Sequence, residues 1–281
     1  MLSNGELHDH IAAVRLRQAE IRAVRKGVPS NVSPGPLGAQ LITDARWNNE
    51  DEYPAYQAFA DELERLLIFA EKQNQYELYF SKLAASARQR DAALDELRVA
   101  SHLNSNAFSI LQWNPIGLPP KEGEYLISSS SRTEVFVEVK SPTWQSELTE
   151  DEIKAGRTQE PKYLYCEGGA YAHWPLTQDA IDRAYKKFSP AKANLLVIPG
   201  DGPRVSMRHG LEAHAYEALY IAREPYNGYF TSQIYEKLGG VAFFFMDGGF
   251  SPVSYSMALF LNPYALVQLP KELQEAFPCI L

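Results

Sequence analysis

Gly123-Glu124-Tyr125-Leu126-Ile127, the polar run Ser128-Ser129-Ser130-Ser131-Arg132, and then Glu134-Val135-Phe136-Val137-Glu138-Val139-Lys140-Ser141-Pro142 are the stretch that decides the fold of this chain. Side chains alternate across a strand, so Val135, Val137 and Val139 share one face, and Phe136, Glu138 and Lys140 share the other. A carboxylate and an ammonium therefore stand side by side. The flanking residues favour strands, and the serine-rich run reads as a hairpin loop that returns the chain beside Glu124. Three ionisable groups are gathered at one end of a hairpin.

Working outward, Asp91 to Leu103 carries Leu94, Leu97, Ala100 and Leu103 at helical spacing, with Glu96 off the centre of that stripe. Phe108 to Trp113 reads as a strand ended by Asn114-Pro115. Beyond the hairpin, Trp174-Pro175 reads as irregular chain and Asp179 to Phe188 as a helix. Ala193 to Pro199 is a continuous apolar run suited to a central buried strand.

The order helix, strand, Glu-bearing hairpin with Glu-x-Lys, helix, strand resembles the PD-(D/E)XK nuclease superfamily. Its signature is an acid on one strand followed, after a turn, by Glu-x-Lys on the next. The resemblance runs from Asp91 to about Ser206 and implies an α/β/α restriction-endonuclease-like core with a central mixed sheet. It gives Glu124, Glu138 and Lys140 the catalytic positions, with Glu124 standing where the family usually has Asp. It also implies a metal site of Glu96, Glu124, Glu138 and the Val139 carbonyl for Mg2+ or Mn2+, and offers Lys186 and Lys187 to substrate phosphate. The function implied is divalent-metal-dependent phosphodiester hydrolysis, on DNA in preference to RNA.

Such chemistry needs oxygen ligands for a hard cation and a positive group near the attacking water, which two carboxylates and a lysine supply. A Glu-x-Lys pair on an amphipathic strand is also a common solvated face, so the neighbouring acid and the helix carry the discrimination. Two rival readings remain: a catalytically inactive module of the same fold that binds nucleic acid or protein, and a scaffold whose helical N-terminus carries the function.

At 281 residues with 45% apolar content, the chain has room for one large domain or two modest ones. Its net charge of -8 argues against nonspecific wrapping of nucleic acid, which calls for a basic surface. Local basic clusters occur at Arg15, Arg17, Arg22, Arg25 and Lys26, and at Arg183, Lys186, Lys187 and Lys192; both read foremost as solvated helix faces. Cys166 and Cys279 match no metal or redox spacing. No signal peptide or membrane span is legible, so a cytoplasmic protein with no membrane partner is expected, and homo-oligomerisation stays open.

Residues 1–90 read as a mostly helical N-terminal region and 91–281 as the nuclease-like domain. Helices are expected over 6–26, after Asn48-Asn49-Glu50-Asp51 through about Gln73, and from Tyr76 to Gln89, with a Pro- and Gly-rich connector over 27–38. Thr149 to Glu152 reads as a helix start. Leu211 to Ala222 and Gln233 to Leu238 read as helices, and Gly240 to Met246 and Ser254 to Leu261 as a hairpin about Gly248-Gly249. The aromatics Phe243, Phe244, Phe245, Phe250, Tyr255 and Phe260 read as core, and His173, His209 and His214 as structural or surface groups. Neither a Walker loop, nor a dinucleotide fingerprint, nor a nucleophile elbow, nor an internal repeat is present.

Overall fold

The computed structural model describes residues 53–83, 87–141, 174–200, 215–223, 226–247 and 253–280. The expected helices over 6–26 and at Thr149, the connector, the first basic cluster, Cys166, Phe250, the Gly248-Gly249 turn and the three histidines His173, His209 and His214 lie outside them. The chain forms a mixed α/β architecture with helices and a seven-stranded mixed sheet. It divides into two units: residues 1–101 with 247–254, and residues 102–246 with 255–281.

The first unit holds α1 (Tyr53–Lys72), α2 (Tyr76–Leu83) and most of α3 (Ala87–Ser105). Leu63, Leu66, Leu67 and Ala70 are buried along α1, as its helical apolar stripe predicts. Leu94, Leu97 and Ala100 are buried along α3. Arg98 donates through Nε and Nη2 to both oxygens of the buried Glu62, each at 2.8 Å. This two-pronged pair is the geometry in which a buried carboxylate is best compensated.

The second unit is built on the sheet. Its strands are β1 (Ser109–Trp113), β2 (Tyr125–Ser128), β3 (Glu134–Val139), β4 (Ala193–Pro199), β7 (Gly240–Asp247), β8 (Ser254–Leu261) and β9 (Cys279–Ile280), in that spatial order. β1, β2 and β3 form an antiparallel meander, whereas β3, β4 and β7 run parallel. A two-residue ribbon, β5 (Ala222–Arg223) with β6 (Tyr226–Asn227), stands apart from it. β1 is an edge strand with an irregular register between Ile110 and Gln112 and mostly exposed side chains, which is how edges avoid further pairing. β4 is buried at every position, Asn194 included, as its otherwise apolar run predicts for a strand covered on both faces.

The parallel step from β3 to β4 passes through α4 (Trp174–Tyr185). This helix starts five residues earlier than its sequence pattern suggests, because Pro175 falls in the first turn, where a missing N–H costs nothing. The expected irregular chain at Trp174-Pro175 is thereby corrected. Ala180, Ile181 and Ala184 of α4, with Phe188 beyond it, form one core with Phe136 of β3 and with Leu196 and Ile198 of β4. Phe243, Phe245 and Phe260 join this core, while Phe244 packs against His102 and Tyr255, so the aromatic tail is core. Gln233–Tyr235 is one 3-10 turn rather than a longer helix, and of the expected Leu211 to Ala222 helix, residues 215–220 are helical while Ala222 enters β5. A last helix, α5 (Lys271–Ala276), precedes β9.

Candidate functional site

The site forms where β3 ends. Glu138 lies on the face that carries Phe136, the face covered by α4, and its side chain has 0% exposure. An ionised carboxylate so buried requires compensation close at hand. Lys140, two residues on and on the same face, makes an ion pair with Oε1. Lys187, just past α4, places Nζ 2.6 Å from the same oxygen. Oε2 is buried as well and has no hydrogen-bond partner among the described residues.

Glu124 immediately precedes β2 and is anchored to β3 by its backbone, whose N–H donates to the Val137 carbonyl at 3.1 Å; its own carbonyl accepts from Asn114 at 3.0 Å. The Glu124 carboxylate acts on the same lysine. Burial drives the Lys187 pKa down, but the charge and hydrogen bond of Glu138 and then the charge of Glu124 outweigh it, and the net shift is upward. Lys187 therefore keeps its proton. Two carboxylates and two ammonium groups share the site, and their formal charges cancel.

The surrounding chain holds these groups from both sides. Leu118 N–H donates to the Lys187 carbonyl at 2.7 Å, and Lys187 N–H donates to that of Ala184 at 2.8 Å. A β-carbon on Gly117 would collide with the Lys187 carbonyl, so the loop from Asn114 to Gly123 reaches the end of α4 only with glycine there. Lys140 N–H donates to the Val197 carbonyl at 3.0 Å, extending the β3–β4 ladder to the lysine itself. Val139, paired in register with Val197, lies between Glu138 and Lys140 in the chain.

Of the residues singled out by sequence, Glu138, Lys140 and Lys187 meet, with Glu124 beside them. Glu96 is engaged by Lys82 at 2.6 Å, within the first unit. Among the described residues no three His, Cys, Asp or Glu side chains are gathered to hold a metal ion, so the three-carboxylate set with Glu96 is not assembled. Lys186 is exposed. The second basic cluster is not one face: Arg183 pairs with Asp179 one turn back, while Lys187 turns to Glu138. The contact of Lys187 with Glu138 is the feature that spacing alone misses, since helical periodicity says nothing about a residue past a helix end.

What remains suits a small hard cation in a limited sense. Mg2+ is commonly held by one or two carboxylates, with waters and substrate phosphate completing the shell. Glu138 offers one such carboxylate, whose buried Oε2 makes no hydrogen bond among the described residues, and Glu124 acts by its charge on the Lys187 that pairs with it.

No helix among the described residues is long and apolar enough to cross a membrane. Comparison with protein-family profiles, with curated proteins and with solved structures finds no match to this chain.

Proposed function

We propose that the chain is a divalent-metal-dependent nuclease of the restriction-endonuclease-like fold, cleaving phosphodiester bonds of DNA in preference to RNA in the reducing cytoplasm. The observation that carries this reading is the fully buried Glu138 ion-paired with Lys140 at the end of a central strand, with Glu124 immediately before the adjoining strand and hydrogen-bonded to Val137 through its backbone. A buried charge cluster in a sheet is costly to build, and sites that shift or pair charges in this way are enriched for function. The order α3, β1, β2, β3, α4, β4, with an antiparallel meander and then a parallel strand, supports the finer fold.

In this reading Glu124, Glu138 and the Val139 carbonyl hold Mg2+ or Mn2+, which supplies Lewis acidity to the phosphate and to a water. Lys140 directs its ammonium at the attacking water and offsets charge that accumulates on the phosphate, a role suited to a compact cation with three donors. Glu138 keeps that ammonium aimed by pairing with it. Glu96 and Lys186 take no part, because Glu96 serves Lys82 and Lys186 faces solvent.

One observation favours the rival reading, a module of the same fold without catalysis. Glu138 is already compensated by two lysines. The test is cleavage of linear and circular DNA, single strands and RNA by the purified full chain with Mg2+ or Mn2+, with EDTA as control. Cation-dependent cleavage that disappears in Glu138→Gln is expected. Cleavage that survives this substitution, or none with any substrate, rejects the enzyme.

A further inference from the structure

We propose that Lys187 is the resident counter-cation of Glu138, that an incoming divalent ion displaces it, and that its freed ammonium then pairs with the substrate phosphate. The inference rests on the metal-dependent reading above. It adds an ordered exchange between the protein's own cation and the bound one.

Both ammonium groups contact one oxygen of the buried Glu138, so two like charges stand close together and repel. The four formal charges already cancel, so adding a divalent ion leaves two positive charges in excess. Moving one ammonium away relieves that excess. Lys140 comes from the same strand face as Glu138, two residues on, so it starts beside the carboxylate whichever way its stem turns. Lys187 reaches in from beyond α4, a separate element; the two side chains are equally exposed, 24% for Lys187 and 23% for Lys140. The Lys187 backbone is fixed by Leu118 and Ala184, but the four-carbon stem turns about several bonds without disturbing either hydrogen bond. The pivot is fixed while the charge can swing.

Mn2+ binding is measured first, on the full chain and without nucleic acid, by calorimetry and by the loss of free-ion paramagnetic resonance signal. Lys187→Met and Lys187→Gln should each bind Mn2+ more tightly, on the order of tenfold, the scale on which removing one close charge acts. Lys187→Arg, which keeps the charge, should retain wild-type affinity. Affinity that is unchanged or weaker in both neutral variants overturns the proposal.

Binding of a phosphorothioate DNA duplex is measured next, with and without Ca2+. Lys187→Met should weaken it when Ca2+ is present and leave it unchanged when Ca2+ is absent; equal weakening in both conditions also overturns the exchange. Failure of the underlying reading looks different. No Mn2+ binding by any form, Lys187→Met included, removes the metal centre itself, whereas Mn2+ binding and DNA cleavage with an unaltered Lys187→Met affinity remove the exchange alone.

Discussion

Gly123 lies so close to the ring of Phe136 that a β-carbon on it would run into Cζ and both Cε atoms. The contact joins the residue before Glu124 to the residue two before Glu138. Gly123→Ala should lower stability by about 1–3 kcal/mol, the range for overpacking a filled core. Thermal and urea unfolding measure it. A variant that melts with the wild type would mean that the ring has room to step aside.

Catalysis should divide between the two acids and the lysine. Lys140→Ala should reduce cation-dependent cleavage on the order of a hundredfold or more, because it removes a charge aimed at the developing anion. Glu124→Asp should preserve or raise the rate, since the shorter side chain restores the residue usual in the superfamily that the sequence resembles. Single-turnover rates at saturating Mg2+ decide both. A Glu124→Asp protein that binds Mn2+ but does not cleave contradicts the second expectation.

Asn194 is buried in the first half of β4, and its Nδ2 donates to the carbonyls of Ser189, Lys192 and Lys237 at 2.7–2.8 Å. It ties the turn after α4 to the turn before β7. Asn194→Ala takes this donor from the Lys192 and Lys237 carbonyls, while that of Ser189 keeps the Lys192 N–H at 3.4 Å, and should cost about 1–3 kcal/mol, the usual penalty for stranded buried polar groups. Hydrogen exchange should quicken around 189–192 and 237–239. Global loss of stability with no local change there would argue against the tie.

Alkaline pH should loosen the fold. Burial of the phenol pushes Tyr229 up to about 12 against a hydrogen bond from Asn227 that lowers it. The folded state therefore holds a proton that the unfolded chain releases at about 10. The stabilisation is complete below pH 10 and is lost as the pH climbs toward 12. Burial raises Tyr220 and Tyr235 in the same direction, and the raised Lys187 acts likewise. Tyr229→Phe should flatten the fall of stability over that window in denaturant titrations, and an identical slope in both proteins refutes the assignment.

The elements legible from sequence are those whose burial is patterned along the chain. β3 reads from its alternation, β4 from the apolar run Leu195 to Pro199, and α3 from Leu94, Leu97, Ala100 and Leu103, all four of which are buried. Glu138 and Lys140 were placeable together because a strand fixes the side of every second residue. Partners supplied by separate elements were not: Lys82 claims Glu96 from another helix, and Lys187 arrives from beyond a long crossover. Neither meeting leaves a periodic trace. The start of α4 was obscured for a different reason, since proline signals a break inside a helix but is welcome in its first turn.

The segment 247–254 belongs to the first unit although β7 before it and β8 after it are built into the sheet of the second. Within the first unit, Arg65 of α1 donates to the Val253 carbonyl at 3.2 Å. The chain thus crosses from one unit to the other at 101–102, at 246–247 and again at 254–255. A protein laid out in this way cannot be taken apart by one cut. Removing everything before Asp91 would sever α3 and also strip residues 247–254 of Arg65. Inheritance by simple fusion of two ready-made modules is equally hard to reconcile with such a path, which instead ties any change in the helical region to the loop that joins two central strands.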